Sequence, residues 1–327
     1  MRTFLGFLIV LVILAAAGLA AAVQWGGPAD PAAAATAGAK PVGVVELTDL
    51  PPVERYLARD GSQLAYRRYL PAAGPARASI ALLHGFASRS QSLHAVARAL
   101  AAAGFEVHVL DLRGHGESGF KGMVDYAGQV SDDVEDFARA VAPMARPRLL
   151  FGFDAGGGIA LRIAGSARDT LFDAYLPAAP WLGPRASTQR SGNAAGVDTG
   201  RARLLAIDLL NRFGVRRYNG LPLMNFAAEP QAGAGRTAQY SYMLAASFRP
   251  QPDLKSEIRS IQRPVEIVVG ANDEQMVPDR FEAEFDAAGH HVPVTIVPNV
   301  GHAGLIVEAP GIQAIVDSAN RLAPHRL

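Results

Sequence analysis

The pattern of apolar and polar positions divides this chain into three stretches. Phe4–Val23 is twenty consecutive uncharged residues without a polar face. As a helix it spans roughly 30 Å, about the thickness of a bilayer's hydrocarbon core. Gln24–Gly43 is rich in alanine, glycine and proline, has no period, and reads as part of a linker over 24–49. From about residue 50 a regular alternation of short apolar runs and amphipathic segments begins.

"VERYLARDGSQLAYRRYLP" predicts two strands about an Asp60–Gly61 turn. "ASIALLHG", "FEVHVLDLRGHG", "PRLLFGFD", "FDAYLPAAP", "PVEIVVG" and "VPVTIVP" are short apolar runs suited to strands buried on both faces. "SLHAVARALAAAG", "SDDVEDFARAVAPM", "GGGIALRIAG", "PDRFEAEFDAAG" and "PGIQAIVDSANRLA" have helical spacing, the second opening on Ser131 and acidic residues. Strand–helix alternation of this kind predicts an α/β fold with a mostly parallel, doubly wound sheet. One segment, about 182–255, breaks the alternation. It holds "RARLLAIDLLNRFG" and "RTAQYSYMLAASF", both of helical spacing, and is too long for a simple loop. It predicts an inserted helical lid over the carboxyl edge of the sheet, where ligands bind in such folds.

Half of the residues are hydrophobic, 19% are charged and the net charge is +1. That composition supports a large core and excludes a disordered chain; without a basic block, no nucleic-acid partner is expected. Cysteine is absent, which excludes disulfides, thiolate nucleophiles and Cys-ligated metal centres. Arg2 precedes the apolar run and places the N-terminus in the cytoplasm, with the remainder exported. Retained, residues 1–23 form a single-pass membrane anchor with the domain on the outer side. Cleaved at the small residues of "AGLAAAV", they are a signal segment and the domain is secreted. The run exceeds the usual length of a signal's apolar core, which favours the anchor.

The chemistry centres on "LLFGFDAGGGIALRIA", Leu149–Ala164, a strand, a sharp turn and a helix with Asp154 at the apex. Such a turn needs small residues two before and two after the displayed side chain, here Gly152 and Gly156. It aims the N–H of Ala155 at any anion forming there, and Phe86, after the His84–Gly85 strand end, offers a second donor. Asp273 follows the strand "PVEIVVG", and His302 follows "VPVTIVP". Nucleophile, acid and histidine thus fall in the chain order of α/β hydrolases.

The motifs "LHGF", "DLRGHGESG", "GFDAGGG", "GANDEQMVP" and "NVGHAG" resemble the α/β-hydrolase superfamily from about residue 50 to the end. Within it the chain is most similar to the monoacylglycerol-lipase and serine-aminopeptidase-like hydrolases. The resemblance implies an eight-stranded sheet, a lid and hydrolysis of esters or amides. The departure is Asp154, where the family carries serine. Superfamily branches with an aspartate nucleophile are haloalkane and fluoroacetate dehalogenases and epoxide hydrolases. They usually place a bulky residue after the aspartate, and a proline two residues after the His-Gly. Ala155 and Ala87 stand at those places here, so the chain is similar to a serine-type template holding an aspartate.

A carboxylate is ionised at neutral pH and attacks without a base. Displacement at saturated carbon leaves an ester on Asp154. His302, oriented by Asp273, then activates water against that ester. The expected substrate is small and lipophilic: a halide, an epoxide or an ester-like compound. Trp181, Tyr240 and Tyr242 are candidate pocket residues. A lid tyrosine would protonate an opening epoxide, although a lid–core contact is the simpler role. The alternative is a non-catalytic binding protein in which Asp154 pairs with His302. Asp111, Arg113 and His115 read as loop supports and Glu274 as a second candidate for the orienting acid. His290 and His291 lack a ligand set, so no metal or other cofactor is expected. Arg185, Arg201 and Arg203 read as lid surface.

Overall fold

The computed structural model describes residues 2–29, 47–141, 144–190, 196–227, 236–250 and 253–324. An apolar helix, α1 (Arg2–Trp25), comes first. The predicted hairpin follows as β1 (Val53–Leu57) and β2 (Gln63–Tyr69), antiparallel about Gly61 at φ +84°. β3 (Ala78–Leu83), α2 (His94–Ala102), β4 (Phe105–Leu110), α3 (Gln129–Ala140), β5 (Arg148–Phe153), α4 (Ala155–Ala164) and β6 (Ala174–Ala178) then alternate. α3 starts two residues before Ser131, behind Gly128 in the left-handed region.

The predicted insertion contains β7 (Val197–Thr199), α5 (Arg201–Arg212), β8 (Pro222–Phe226), β9 (Gln239–Ser241) and α6 (Tyr242–Phe248). The chain returns through α7 (Leu254–Arg259), β10 (Ile267–Gly270), α8 (Phe281–Asp286), β11 (Val294–Val297), α9 (Gly304–Val307) and α10 (Ala309–Leu322).

The main sheet has eight strands in the order β1-β2-β4-β3-β5-β6-β10-β11. All neighbours from β4 to β11 run parallel, and β2 is antiparallel to both its neighbours. Every residue of β3, β4 and β6 is buried. Covered on both faces, these strands show continuous apolar runs rather than alternation.

The insertion differs from the helical expectation in one respect. β7, β8 and β9 form a separate three-stranded antiparallel sheet. The segment "RTAQYSYMLAASF" is therefore not one helix: Gln239–Ser241 pairs with β8, and Ser241 Oγ accepts from Leu244 N at 3.1 Å, capping a helix that begins only at Tyr242.

The first residues of the predicted linker are bound to this insertion. Ala29 N donates to Asp198 Oδ2 at 2.7 Å, and Asn225 Nδ2 donates to Ala29 O at 3.1 Å. Residues 30–46 of that segment lie outside the described residues. Arg203, expected to decorate the lid surface, instead donates to Val23 O (2.8 Å), Gln24 O (2.9 Å) and Pro222 O (2.7 Å). Its planar fork meets the unpaired carbonyls at the end of α1.

Candidate active site

β5 ends in the predicted sharp turn, and its close approach explains the glycines. A Cβ on Gly152 would lie 2.1 Å from Gly156 O, and one on Gly156 would lie 2.4 Å from Leu83 O. Asp154 sits at the apex with φ +52° and ψ −116°, a conformation costing a non-glycine residue about 1–3 kcal/mol. Three backbone hydrogen bonds hold it there: Asp154 N donates to Ala178 O at 3.0 Å, and Asp154 O accepts from Gly158 N at 3.1 Å and Trp181 N at 3.0 Å.

The carboxylate turns toward the loop after β3. Phe86 N donates to Asp154 Oδ2 at 3.1 Å, and the amide of Ala155, the next residue in the turn, also favours the ionised carboxylate. One carboxylate oxygen thus sits on the Phe86 amide, beside the N-terminus of α4. Gly85 makes room for it, since a Cβ there would lie 2.8 Å from Oδ2. Burial raises the pKa of Asp154; the charge of His302 and the two amides oppose the rise without cancelling it.

His302 Nδ1 meets Asp273 Oδ2 at 2.9 Å, and both residues are buried. Burial alone would lower the pKa of His302. The hydrogen bond to Asp273 and the charges of Asp273, Asp154 and Glu274 outweigh it, so the imidazole lies above its ordinary range. Burial would likewise raise Asp273, but the bond from His302 and the amides of Met276 and Gln275 hold it below. Those amides reach Asp273 Oδ1 at 2.7 and 2.8 Å. Glu274, the second candidate acid, accepts from the backbone N of His302 at 3.0 Å. It fixes the loop while Asp273 orients the ring. Phe153 packs on the imidazole, ring centroids 4.8 Å apart.

The weaker pocket candidates are placed differently from one another. Trp181 is partly exposed and packs edge-on against Phe86 at 5.2 Å. Tyr240 lies on β9 rather than on a helix and is fully buried. Its hydroxyl accepts from Ala87 N at 2.6 Å and meets His115 Nε2. His115 Nδ1 lies 3.0 Å from Arg113 O, which assigns the ring proton to Nδ1 and makes Tyr240 the donor to Nε2. Tyr242 donates to Asp208 Oδ1.

Neither lid tyrosine therefore presents a free hydroxyl. Tyr240 instead ties the insertion to the loop that carries Phe86, a role visible only once β9 and that loop are adjacent. Tyr240→Phe leaves the buried Ala87 N–H and His115 Nε2 without this partner. It is expected to destabilise the fold by about 2 kcal/mol, seen as a lower urea midpoint at unchanged slope. A midpoint that does not move would show that the hydroxyl holds nothing.

Asp111 and Arg113 support loops, as expected. Asp111 accepts from Ser90 N at 2.6 Å and Glu117 N at 2.9 Å, and Arg113 pairs with Asp133 at 2.7 Å. Among the described residues, Glu282, Asp286 and His291 bring ligand-type atoms within 4.8 Å of one another, all exposed. Within that group His291 Nδ1 meets Asp286 Oδ1 at 3.0 Å.

Comparison with known proteins agrees with this architecture. A family model for serine aminopeptidase, S33, matches residues 74–309. A monoacylglycerol lipase of Mycolicibacterium smegmatis is 38% identical over 104 residues, 30% of this chain and 36% of that protein, so the match spans about a third of that curated relative. Among solved structures, a soluble variant of monoglyceride lipase from Saccharomyces cerevisiae, in complex with a substrate analogue, superposes with a TM-score of 0.61 at 17% identity. That match covers 86% of this chain and 97% of the other. A monoacylglycerol lipase from Paleococcus ferrophilus gives 0.60 at 17% identity, covering 80% and 99%. At these identities the two structures speak for the fold alone. The family model takes in the sharp turn, the acid loop and the histidine loop, and the chain belongs to the serine aminopeptidase S33 family, hydrolases of the α/β fold.

Proposed function

We propose that this hydrolase uses Asp154 as its nucleophile and acts on lipophilic substrates whose leaving group departs from saturated carbon as a stable anion. The observation that carries this is the hydrogen bond from Phe86 N to Asp154 Oδ2, on a carboxylate whose ionised form the Ala155 amide also favours. With that oxygen held, the other carboxylate oxygen is the one left to attack. It forms a C–O bond while the carbon–leaving-group bond breaks and its electron pair goes with the leaving group. The resulting ester already has its carbonyl oxygen on the two donors. His302 then takes a proton from water, the hydroxide adds to the ester carbon, and the charge develops on Oδ2, where each donor contributes about 3–4 kcal/mol. Collapse expels the alcohol, whose oxygen takes the proton back from His302, and the new carboxyl group loses its proton to solvent to restore the carboxylate.

An epoxide suits this site less well, because ring opening demands a proton and the hydroxyls of Tyr240 and Tyr242 are both committed. An ester substrate is disfavoured twice: attack would give an anhydride, and its carbonyl oxygen would find the two amides already occupied. α1 contains a segment, Thr3–Trp25, of mean hydropathy 2.8, long and apolar enough to cross a membrane by length and composition. We read it as a single-pass anchor with the hydrolase on the outer side, as the position of Arg2 favours.

The test is a single turnover of a panel of alkyl halides and sulfonates in heavy-oxygen water. The label is expected in the carboxylate of Asp154, detected in its peptide by mass spectrometry. A product alcohol carrying the label in the first turnover would mean that water attacked the substrate directly and would end this reading.

The pH dependence separates the two steps. Attack needs only ionised Asp154, whose pKa lies above 3.8, so kcat/KM is expected to stay flat near neutrality and fall only in acid. Hydrolysis needs neutral His302, whose pKa lies above 6.5 before attack. Ester formation removes the charge on Asp154 and with it one contribution holding the imidazole protonated. With hydrolysis limiting, kcat is expected to fall about tenfold per unit below the pKa of His302 in the ester. Parallel profiles for kcat and kcat/KM would instead point to a nucleophile that needs the histidine from the start.

A further inference from the structure

We infer that the insertion docks on the same membrane that α1 crosses, with α5 lying in the headgroup region and its outer apolar face buried in lipid. The inference rests on reading α1 as the membrane anchor and goes beyond it. Leu205, Leu209 and Phe213 follow one another at helical spacing from α5 into its C-terminal turn, and are 69%, 43% and 77% exposed. The opposite face is committed to the protein: Ala206 and Ile207 are buried, and Asp208 accepts from Tyr242 and pairs with Arg249. A soluble helix would be expected to turn polar residues outward at positions 205, 209 and 213.

The covalent geometry says what covers this face. α1 ends at Trp25, which is 80% exposed, and Arg203 of α5 binds the carbonyls of Val23 and Gln24 directly. Arg203 N also donates to Gly26 O at 3.0 Å. Gly27 makes the seam possible, since a Cβ there would lie 2.3 Å from Arg203 Nη1. No slack chain separates the end of the anchor from α5, so a membrane-spanning α1 delivers the start of α5 to the interface. Arg201, Arg212, Arg216 and Arg217 are exposed around the apolar face. An amphipathic helix with such a basic border binds at the surface of a bilayer containing anionic lipid.

The full chain contains no cysteine, so single cysteines carry a nitroxide without background. Leu205→Cys, Leu209→Cys and Phe213→Cys would be compared with Leu14→Cys in α1 and Glu282→Cys on α8. The proteins are reconstituted in vesicles of phosphatidylcholine with a minor share of phosphatidylglycerol. Labels at 14, 205, 209 and 213 are expected to collide more with oxygen than with a water-soluble nickel chelate, and the label at 282 the reverse. Nickel access at 205, 209 and 213 with lipid contact at 14 would overturn the docking and leave the anchor standing. Nickel access at all positions would overturn both. Shielding of α5 from both reagents would mean that protein covers it, and would also overturn the proposal. Arg203→Ala is expected to move the labels on α5 toward water while the label at 14 stays in lipid; no movement would show that the anchor does not hold the helix there.

Discussion

His302→Gln is expected to stop turnover while leaving the first chemical step intact. Asp154 needs no proton removed before it attacks, so alkylation proceeds at a rate close to that of the parent. The ester that results then has no base to deliver water, and kcat falls by about a thousandfold. One substrate-derived adduct per chain should accumulate, visible in the intact mass and localised to Asp154 by fragmentation. Glutamine preserves most of the imidazole's volume against Phe153, and Asp273 keeps the amides of Gln275 and Met276, so the fold should survive. A folded variant that neither turns over nor accumulates an adduct, with substrates the parent consumes, would remove Asp154 from the nucleophile's role. The non-catalytic alternative, in which Asp154 and His302 are simply an ion pair, predicts no consumption and no adduct in either protein.

Asp154→Ser is expected to raise hydrolysis of short-chain aryl esters by about a hundredfold or more over Asp154→Ala. The serine lacks the Oδ2 that now accepts from Phe86 N beside the amide of Ala155, so a substrate carbonyl oxygen can take that place. Removal of one such donor typically costs two to three powers of ten in rate, about 3–4 kcal/mol, so recovering both is a large effect. His302, already oriented by Asp273, is expected to deprotonate that hydroxyl. The same change should abolish dealkylating activity on halides. A well-folded Asp154→Ser without ester hydrolysis would mean that the two amides do not face the reacting centre.

Much of this site was legible because its constraints are local. Gly152 and Gly156 flank Asp154 in sequence, and the steric requirement that Gly152 meets arises within five residues, while Gly156 clears the distant Leu83 carbonyl. The central strands were legible because burial on both faces leaves continuous apolar runs, and Asp154, Asp273 and His302 follow the ends of such runs. β7, β8 and β9 carry neither a continuous apolar run nor a hairpin signal, and their pairing depends on partners elsewhere in the insertion. For Tyr240 the sequence suggests a lid–core contact but not its polar partners, since its hydroxyl meets an imidazole 125 positions away. Arg203 was read as surface for the same reason, with its α1 carbonyl partners 179 and 180 positions distant. Contacts of that range follow from topology, and local pattern carries no trace of them.

The carboxylate that fills its own pair of amides has a practical consequence for finding this activity. Fluorophosphonate reagents, which tag serine hydrolases across whole proteomes, need an alkoxide to strike phosphorus and a vacant seat for the phosphoryl oxygen. With Asp154 Oδ2 in that seat, both conditions fail, and a survey built on such tags would pass over this hydrolase in silence.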